Sequence, residues 1–570
     1  MNRLATRRPG LAAGAVALLV AAMVLGARPL PAIASPPPRQ AAIASAHPEA
    51  TAAGEEILNR GGNAFDAAIA VAAALAVVEP SGSGLGGGGF LLLHRASDDF
   101  DVMIDAREKA PAAATRDMFL DADGVPVPGL SKNSALAAGI PGEPAALAHL
   151  AKHYGRLPLA ATLAPAIRLA RQGFAMYPRL RGGIAIKRDV LLRSRELSRN
   201  FLDRGAVPAN GFIVRQPQLA ATLERLAARG MDDFYRGALS RELITKVRRM
   251  GGIWSAEDLA GYQVVEREPV VGNYRGARVV AASLPSSGGI VLIDALNILS
   301  GYDLGALDGA SRKHLILEAE RRAHRDRAVY LGDPDFVDVP VAQLIHPYYA
   351  AGQRSSIRLD RALPSSALPG VAEAGEAGTQ TTHFSILDKE GNRAAVTITL
   401  NFWFGSGLVV PGTGILLNNE MDDFSIKPGV PNGFDLVGGD ANAIAPGKRM
   451  LSSSTPAFVE SRQGLMILGS PGGSFIPGMV LNATLDFLDG RSAEQIVAAP
   501  RIHHQYLPDR VLYEQGALSD AEIAALTDRG HKLEPSSRRW GNLQVITQNF
   551  ANGEVQAAAD PRGDGAGHVY

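Results

Sequence analysis

"GTQTTHFSILDKEGNRAAVTITLN", residues 378–401, sets two threonines at the head of one apolar run and a third near the end of the next. The runs "HFSIL" and "RAAVTITL", rich in β-branched and apolar residues, flank "DKEGN" and predict a β-hairpin. A three-residue loop, Lys389 to Gly391, fits that turn, with Gly391 in the left-handed position of a type I turn plus bulge. The loop pairs Asp388 with Asn392, and the same register carried along the strands sets Thr381 opposite Thr399. Directly opposed residues hold their Cβ atoms about 5 Å apart. Threonine pairs also occur across strands for stability alone, so the register permits chemistry without establishing it.

A threonine at a chain terminus solves a catalytic problem. If the Gln380–Thr381 bond breaks, Thr381 gains a free α-amine, titrating near about 7.7–8.0, that can take the proton of its own hydroxyl. The hydroxyl itself could break the bond by attacking the preceding carbonyl, and Thr399 would orient it through a hydrogen bond. The stretch before it, residues 354–380, is dominated by Pro, Ser, Ala and Gly and lacks apolar periodicity, which predicts a mobile linker. The expected division is therefore a large segment 35–380 and a small segment 381–570, with the cleavage point between them.

Composition narrows the partners. The chain of 570 residues balances 57 basic against 57 acidic side chains, so no global field favours nucleic acid or an anionic membrane, and small molecules are the expected partners. It contains no cysteine, which removes thiol nucleophiles, disulfides and thiolate metal sites and leaves oxygen or amine as the covalent catalyst. Residues 1–34 read as a secretory signal: Arg3, Arg7 and Arg8, an apolar run from Leu11 to Gly26, then Ala32-Ile33-Ala34. That run is too short for a stable membrane anchor, so a periplasmic or secreted protein is expected.

Elsewhere, helical periodicity recurs in "GGNAFDAAIAVAAALAVVEP", "EPAALAHLAKHYG", "ATLAPAIRLARQG" and "QPQLAATLERLAARG", so helices dominate up to the linker and short strands follow it. "LLNNEMDDFS", residues 416–425, gathers acceptors at Asn418, Asn419, Glu420, Asp422 and Asp423 and is either a solvated turn or a cradle for an ammonium. Arg107 in "IDARE" offers the opposite charge and a guanidinium fork that suits a carboxylate. Together they suggest a substrate with a free α-amine and α-carboxylate. "LSSSTP" adds hydroxyls at Ser452, Ser453 and Ser454, and "GSPGGS" adds unobstructed backbone N–H groups at Gly472 and Gly473, as an oxyanion site requires. Gly84, Gly86 and Gly89 match G-x-G-x-x-G, but "FLLLH" after them reads as strand rather than the helix a dinucleotide site demands. His503 and His504 are adjacent and would face opposite sides of a strand, and His383 is superfluous as a base beside an α-amine. Nothing in these motifs calls for a cofactor or a metal.

In "GGNAFDAAIA", "REKAPAAATRDMF", "TQTTHFS", "GTGILLNNEMDDFS", "KPGVPN", "GSPGGS" and "ADPR", in that order, the chain resembles the γ-glutamyltransferases of the N-terminal nucleophile hydrolase superfamily from about residue 40 onward. The resemblance implies an α/β (α+β) fold, a four-layer αββα sandwich, and a precursor that cleaves itself between Gln380 and Thr381 into two subunits. It further implies Thr381 as nucleophile, Thr399 as its hydroxyl partner and Gly472 with Gly473 as the oxyanion hole. Arg107, Ser452 and Ser453 would hold the γ-glutamyl α-carboxylate, and Asn401, Glu420 and Asp423 the α-amine or nearby polar atoms. The donor would be glutathione or a related γ-glutamyl compound, and the acceptor water, an amino acid or a dipeptide. "IKPGVPNGFDLVGGDANAIAPGKR", residues 426–449, looks like a lid loop with Phe434 as an aromatic gate, and Trp403 is a bulky departure that bears on acceptor choice. Two other readings are a β-lactam (glutaryl or cephalosporin) acylase of the same superfamily and an uncleaved, non-catalytic periplasmic binding homologue.

Overall fold

A computed structural model of the chain describes residues 36–370 and 381–570. The expected signal segment 1–34, and Gln380 with the end of the expected linker, lie outside the described residues. The hairpin forms in the expected register. Strands Thr382–Leu387 and Arg393–Thr399 are antiparallel, Leu387 opposite Arg393 and Thr382 opposite Ile398. The turn closes with Gly391 at φ 92° and its N–H on the Asp388 carbonyl at 3.0 Å. The Asp388 carboxylate accepts the N–H groups of Glu390 and Asn392 within the turn, and that of Ala64 at 2.9 Å, which ties the turn to the start of helix Ala64–Val78.

This hairpin lies at the centre of a seven-stranded sheet, in spatial order Ala566–Val569, Ala42–Ser45, Thr382–Leu387, Arg393–Thr399, Gly88–Arg95, Phe100–Ala106 and Val265–Arg267. A six-stranded sheet runs Val555–Ala559, Gln544–Asn549, Gly464–Gly469, Ala457–Glu460, Ala277–Ala281 and Val270–Tyr274. Alternation along each strand builds the layers. Leu387, Ala395 and Phe90 meet Phe458, Ile467 and Ile546 of the other sheet in an apolar core between the sheets. Phe384, Ile386 and Val396 face the opposite way, onto the helices that include Ala64–Val78. The second sheet is covered in turn by helices Gly288–Leu299, Gly309–Tyr330 and Ile476–Leu488. The result is the αββα sandwich.

Helix Ala64–Val78 is buried along its whole length, as an alanine-rich sequence that is apolar all round must be. Its start is fixed by a capping box in which Asn63 accepts the Asp66 N–H and Asp66 accepts the Asn63 N–H. The glycine-rich run after it enters strand Gly88–Arg95, as read from the sequence, and serves sheet packing: a side chain at Gly87 would overlap the Thr399 carbonyl. Residues 355–370, expected to be part of a mobile linker, are pinned as far as they are described. Ser365 donates its N–H and hydroxyl to Asp509, at 3.1 and 2.8 Å, and the Ala362 N–H reaches the Arg529 carbonyl. Such backbone and hydroxyl bonds need no apolar periodicity, so the sequence pattern does not announce them. No helix among the described residues is long and apolar enough to cross a membrane.

Candidate active site

At the end of the central hairpin Thr381 Oγ1 donates to Thr399 Oγ1 at 3.3 Å, and both residues are buried. Thr399 Oγ1 also accepts the Asn401 N–H at 2.7 Å. Asn401 leaves the strand at φ 79°, a left-handed turn that carries its side chain to the Asn419 carbonyl, 3.1 Å away. Thr381, Thr399 and Asn401 line one cavity. Arg107, Glu420, Asp423, Ser452 and Ser453 line the same cavity, so the charged motifs read separately in the sequence meet beside the nucleophile candidate.

"NNEMDD" is not a solvated turn. Asn418 donates to the carbonyls of Gly86 and Gly139 and accepts the N–H groups of Gly139 and Glu420, which brackets the short helical turn Glu420–Asp423 inside the protein. Arg107 Nη1 donates to Glu420 Oε2 at 2.5 Å, Nη2 donates to Asp423, and Nε donates to the Met450 carbonyl. Burial alone would lower the pKa of Arg107, but Glu420, Asp423 and Glu108 outweigh it and hold the guanidinium firmly protonated. Glu108 has neither carboxylate oxygen hydrogen-bonded, and burial pushes it up to about 8. Glu420 Oε1, Asp423 Oδ1 and Ser453 Oγ are buried without a partner, which leaves two acceptors and one hydroxyl for a ligand.

Gly473 lines the cavity, and Gly472 precedes it in the turn that leads from strand Gly464–Gly469 to helix Ile476–Leu488. Their φ angles of 143° and 56° suit glycine, and a Cβ at Gly473 would overlap the Phe434 ring. Phe434 is fixed from both sides: Asp422 accepts the Gly433 N–H at 2.9 Å, and Gln505 donates to the Phe434 carbonyl at 3.3 Å.

The aromatic residue against Phe434 is Phe402, stacked with ring centroids 4.7 Å apart and planes at 10°. Trp403, singled out from the sequence, turns the other way, with its ring against Gly183 and Arg179 5.6 Å above it. His383 donates or accepts at Thr397 and Ser385 between the sheets, and burial lowers its pKa to about 3, so it is neutral. His503 and His504 go to different partners, Gln505 and Asp509. The sequence reading missed Arg327, whose guanidinium lines the cavity from helix Gly309–Tyr330. In the sequence it is one more basic residue in a helix rich in them.

The chain is 42% identical to a glutathione hydrolase proenzyme of Escherichia coli (strain K12), covering 92% of this chain and 90% of that one. It is 37% identical to the Acylase ACY 1 proenzyme of Pseudomonas sp. (strain SE83), covering 92% of each. Among solved structures, a cephalosporin acylase from Bacillus halodurans superposes with a TM-score of 0.81 at 30% identity, over 95% of this chain and 98% of that one. A family model described as Gamma-glutamyltranspeptidase matches residues 50–570, and the chain belongs to that family.

Proposed function

We propose that the chain is an exported precursor that cleaves itself between Gln380 and Thr381 and then acts as a γ-glutamyltransferase and glutathione hydrolase. The supporting observation is the cavity in which the Thr381–Thr399 pair opens beside unpartnered carboxylate oxygens of Glu420 and Asp423 and the hydroxyl of Ser453. Those groups match the ammonium and carboxylate of a γ-glutamyl head group, with Arg107 joining the two acids.

In the first half-reaction Thr381 Oγ1 attacks the γ-amide carbonyl while the new α-amine takes the hydroxyl proton. The tetrahedral oxyanion is stabilised by the N–H groups of Gly472 and Gly473. The C–N bond then breaks, the proton passes to the departing amine, which from glutathione is Cys-Gly, and a γ-glutamyl ester remains on Thr381. Water or the amine of an amino acid or dipeptide attacks that ester, and Thr381 regains its proton. The activity therefore rises with pH as the amine, with a reference pKa of about 7.7–8.0, becomes neutral.

The acylase reading is the second one, favoured by the acylase proenzyme among the relatives. A glutaryl donor lacks the α-amine, however, and would leave Glu420 Oε1 and Asp423 Oδ1 unmatched in a buried site. Intact mass and amino-terminal sequencing of the purified protein, beside Thr381→Ala, test the cleavage: two fragments, the smaller beginning TTHFS, are expected, and one chain from the variant. Turnover of γ-glutamyl and glutaryl 4-nitroanilides, with and without a dipeptide acceptor, tests the substrate. Preference for the glutaryl compound would overturn the γ-glutamyl assignment.

A further inference from the structure

The turn after helix Ala64–Val78 grips both strands of the central hairpin beside the threonine pair. The Gly82 carbonyl accepts the N–H of Leu400, the residue after Thr399, at 3.1 Å, and the Ser81 carbonyl accepts that of Phe404 at 3.0 Å. On the other strand, alternation turns Thr382 to the helical side with Phe384 and Ile386. There its hydroxyl donates to Glu79 Oε2. A Cβ at Gly82 would lie 3.3 Å from the Thr381 carbonyl oxygen and 3.4 Å from the Glu79 carboxyl carbon, so the turn rests against the backbone of the nucleophile candidate.

Glu79 is an unfavourable residue for its place. It is 2% exposed and follows the last turn of an apolar helix, where burial and the negative end of the helix dipole both disfavour a carboxylate. The groups that favour its ionised form are the Thr382 hydroxyl and Arg179, whose Nε is 3.7 Å from Oε1. Arg179 belongs to the first turn of helix Pro178–Leu191 and donates its own N–H to Asp564 at 3.3 Å. The cluster therefore joins Glu79 and Arg179, before the expected cleavage point, to Thr382 and Asp564 after it. Tyr177, also beside it, donates its hydroxyl to the Val78 carbonyl at 2.8 Å and is held neutral by burial. Burial pushes the pKa of Glu79 up to about 7, with Arg179 and the Thr382 hydroxyl opposing and Asp564 adding to the rise.

We propose that Glu79 is a positioning residue: acting through Thr382, with the Gly82 carbonyl gripping Leu400, it holds Thr381 against Thr399 for self-cleavage and for the later acyl transfer. This rests on Thr381 as the nucleophile and not on which acyl group it carries. A hydrogen bond to an ionised acceptor is roughly twice as strong as one to a neutral group, so the grip tightens as Glu79 loses its proton. In the precursor the Thr381 nitrogen is a peptide amide with no amine to titrate, so the rate of self-cleavage reads Glu79 apart from the amine of the mature enzyme.

The test follows cleavage of precursor made by cell-free synthesis and diluted into buffers from mildly acidic to mildly basic pH. It compares wild type, Glu79→Gln, Glu79→Ala, Thr382→Val and the double variant Glu79→Ala with Thr382→Val. The wild-type rate should climb as pH rises through about 7, and Glu79→Gln should lack that limb. Glu79→Ala and Thr382→Val should each slow cleavage, and lower kcat for γ-glutamyl 4-nitroanilide, about 10- to 100-fold, the effect of a small misplacement of the reacting oxygen, with KM nearly unchanged. The double variant should be no slower than the slower single one, because both changes release the same contact. If the alanine variant does not fold, Glu79→Gln and Thr382→Val carry the test through the pH limb and the split between kcat and KM. A wild-type pH limb retained in Glu79→Gln, additive losses in the double variant, or losses in KM rather than kcat would overturn the assignment. A wild type that cleaves itself but turns over no γ-glutamyl donor would overturn the substrate reading, with Glu79 still decided by the cleavage rates. A wild type that stays one chain would overturn both.

Discussion

Thr399 Oγ1 accepts two hydrogen bonds, the hydroxyl of Thr381 at 3.3 Å and the N–H of Asn401 at 2.7 Å, and so couples the nucleophile candidate to the left-handed turn that closes its strand. Removing that hydroxyl leaves the Asn401 N–H without its acceptor and the Thr381 hydroxyl without its guide. Thr399→Val is expected to lower kcat about 10- to 100-fold, for a loss of about 1–3 kcal/mol. Thr399→Ser restores the oxygen and should stay within a few-fold of wild type. Single-turnover acylation, read as the released anilide, separates the two; equal loss in both variants would assign Thr399 to packing alone.

Gly473 is confined by its own backbone and by its neighbour. At φ 56°, with the Phe434 ring where a Cβ would go, Gly473→Ala must shift the turn or displace the ring. A non-glycine residue forced into a sparsely populated conformation costs about 1–3 kcal/mol of stability. Displacing one oxyanion donor costs about a hundred-fold or more in kcat. The variant should therefore lose far more activity than its modest drop in melting temperature accounts for. Full activity after a measured loss of stability would remove Gly473 from the oxyanion site.

How far the sequence carried depends on the distance between cause and effect along the chain. The hairpin register was legible because loop length and alternation are local, and Gly391 and the pairing of Leu387 with Arg393 followed from them. Arg107, Glu420 and Asp423 were legible as charges, but their mutual pairing comes from residues more than 300 positions apart meeting at one cavity. Arg327 gave no local signal, because only the packing of helix Gly309–Tyr330 against the Ser452 segment makes it part of the site. The orientation of Trp403 was illegible for a different reason. Asn401 and Phe404 both have positive φ, so strand alternation cannot be extended past Thr399, and Phe402 rather than its larger neighbour meets Phe434.

The stack of Phe402 on Phe434 makes an energetic prediction. Offset aromatic pairs contribute about 0.5–1.5 kcal/mol beyond the area they bury. A double-mutant cycle of Phe402→Leu and Phe434→Leu, read in kcat/KM for the donor, should show coupling of that size because Phe434 lines the cavity and the Phe402 ring stacks on it. Trp403→Phe should couple weakly to Phe434→Leu, since its ring packs on Gly183 and Arg179 instead. Additive effects of the Phe402 and Phe434 changes would mean that the stack does not set the cavity wall during turnover.

Glu320 makes the pH dependence of stability specific. It lies buried on helix Gly309–Tyr330, with Oε2 accepting the His504 N–H at 3.0 Å and Oε1 unpartnered. Burial pushes its pKa up to about 8, against a smaller opposing pull from that N–H. The nearby His324, His503 and His504 are lowered by their own burial and stay neutral, so none supplies a compensating charge. Below the ordinary glutamate pKa the side chain is protonated in folded and unfolded chains alike, and its contribution is fully present. Between that value and about 8 the unfolded chain gives up the proton and the folded one keeps it. Wild-type stability should therefore fall with rising pH in this window, by about 1.4 kcal/mol per unit from this group. Glu320→Gln removes the titration while keeping an acceptor for His504. Its melting temperature relative to wild type should climb steadily from pH 5 to about 8 and level off above. Curves that run parallel across that range would show that Glu320 ionises normally in the folded protein.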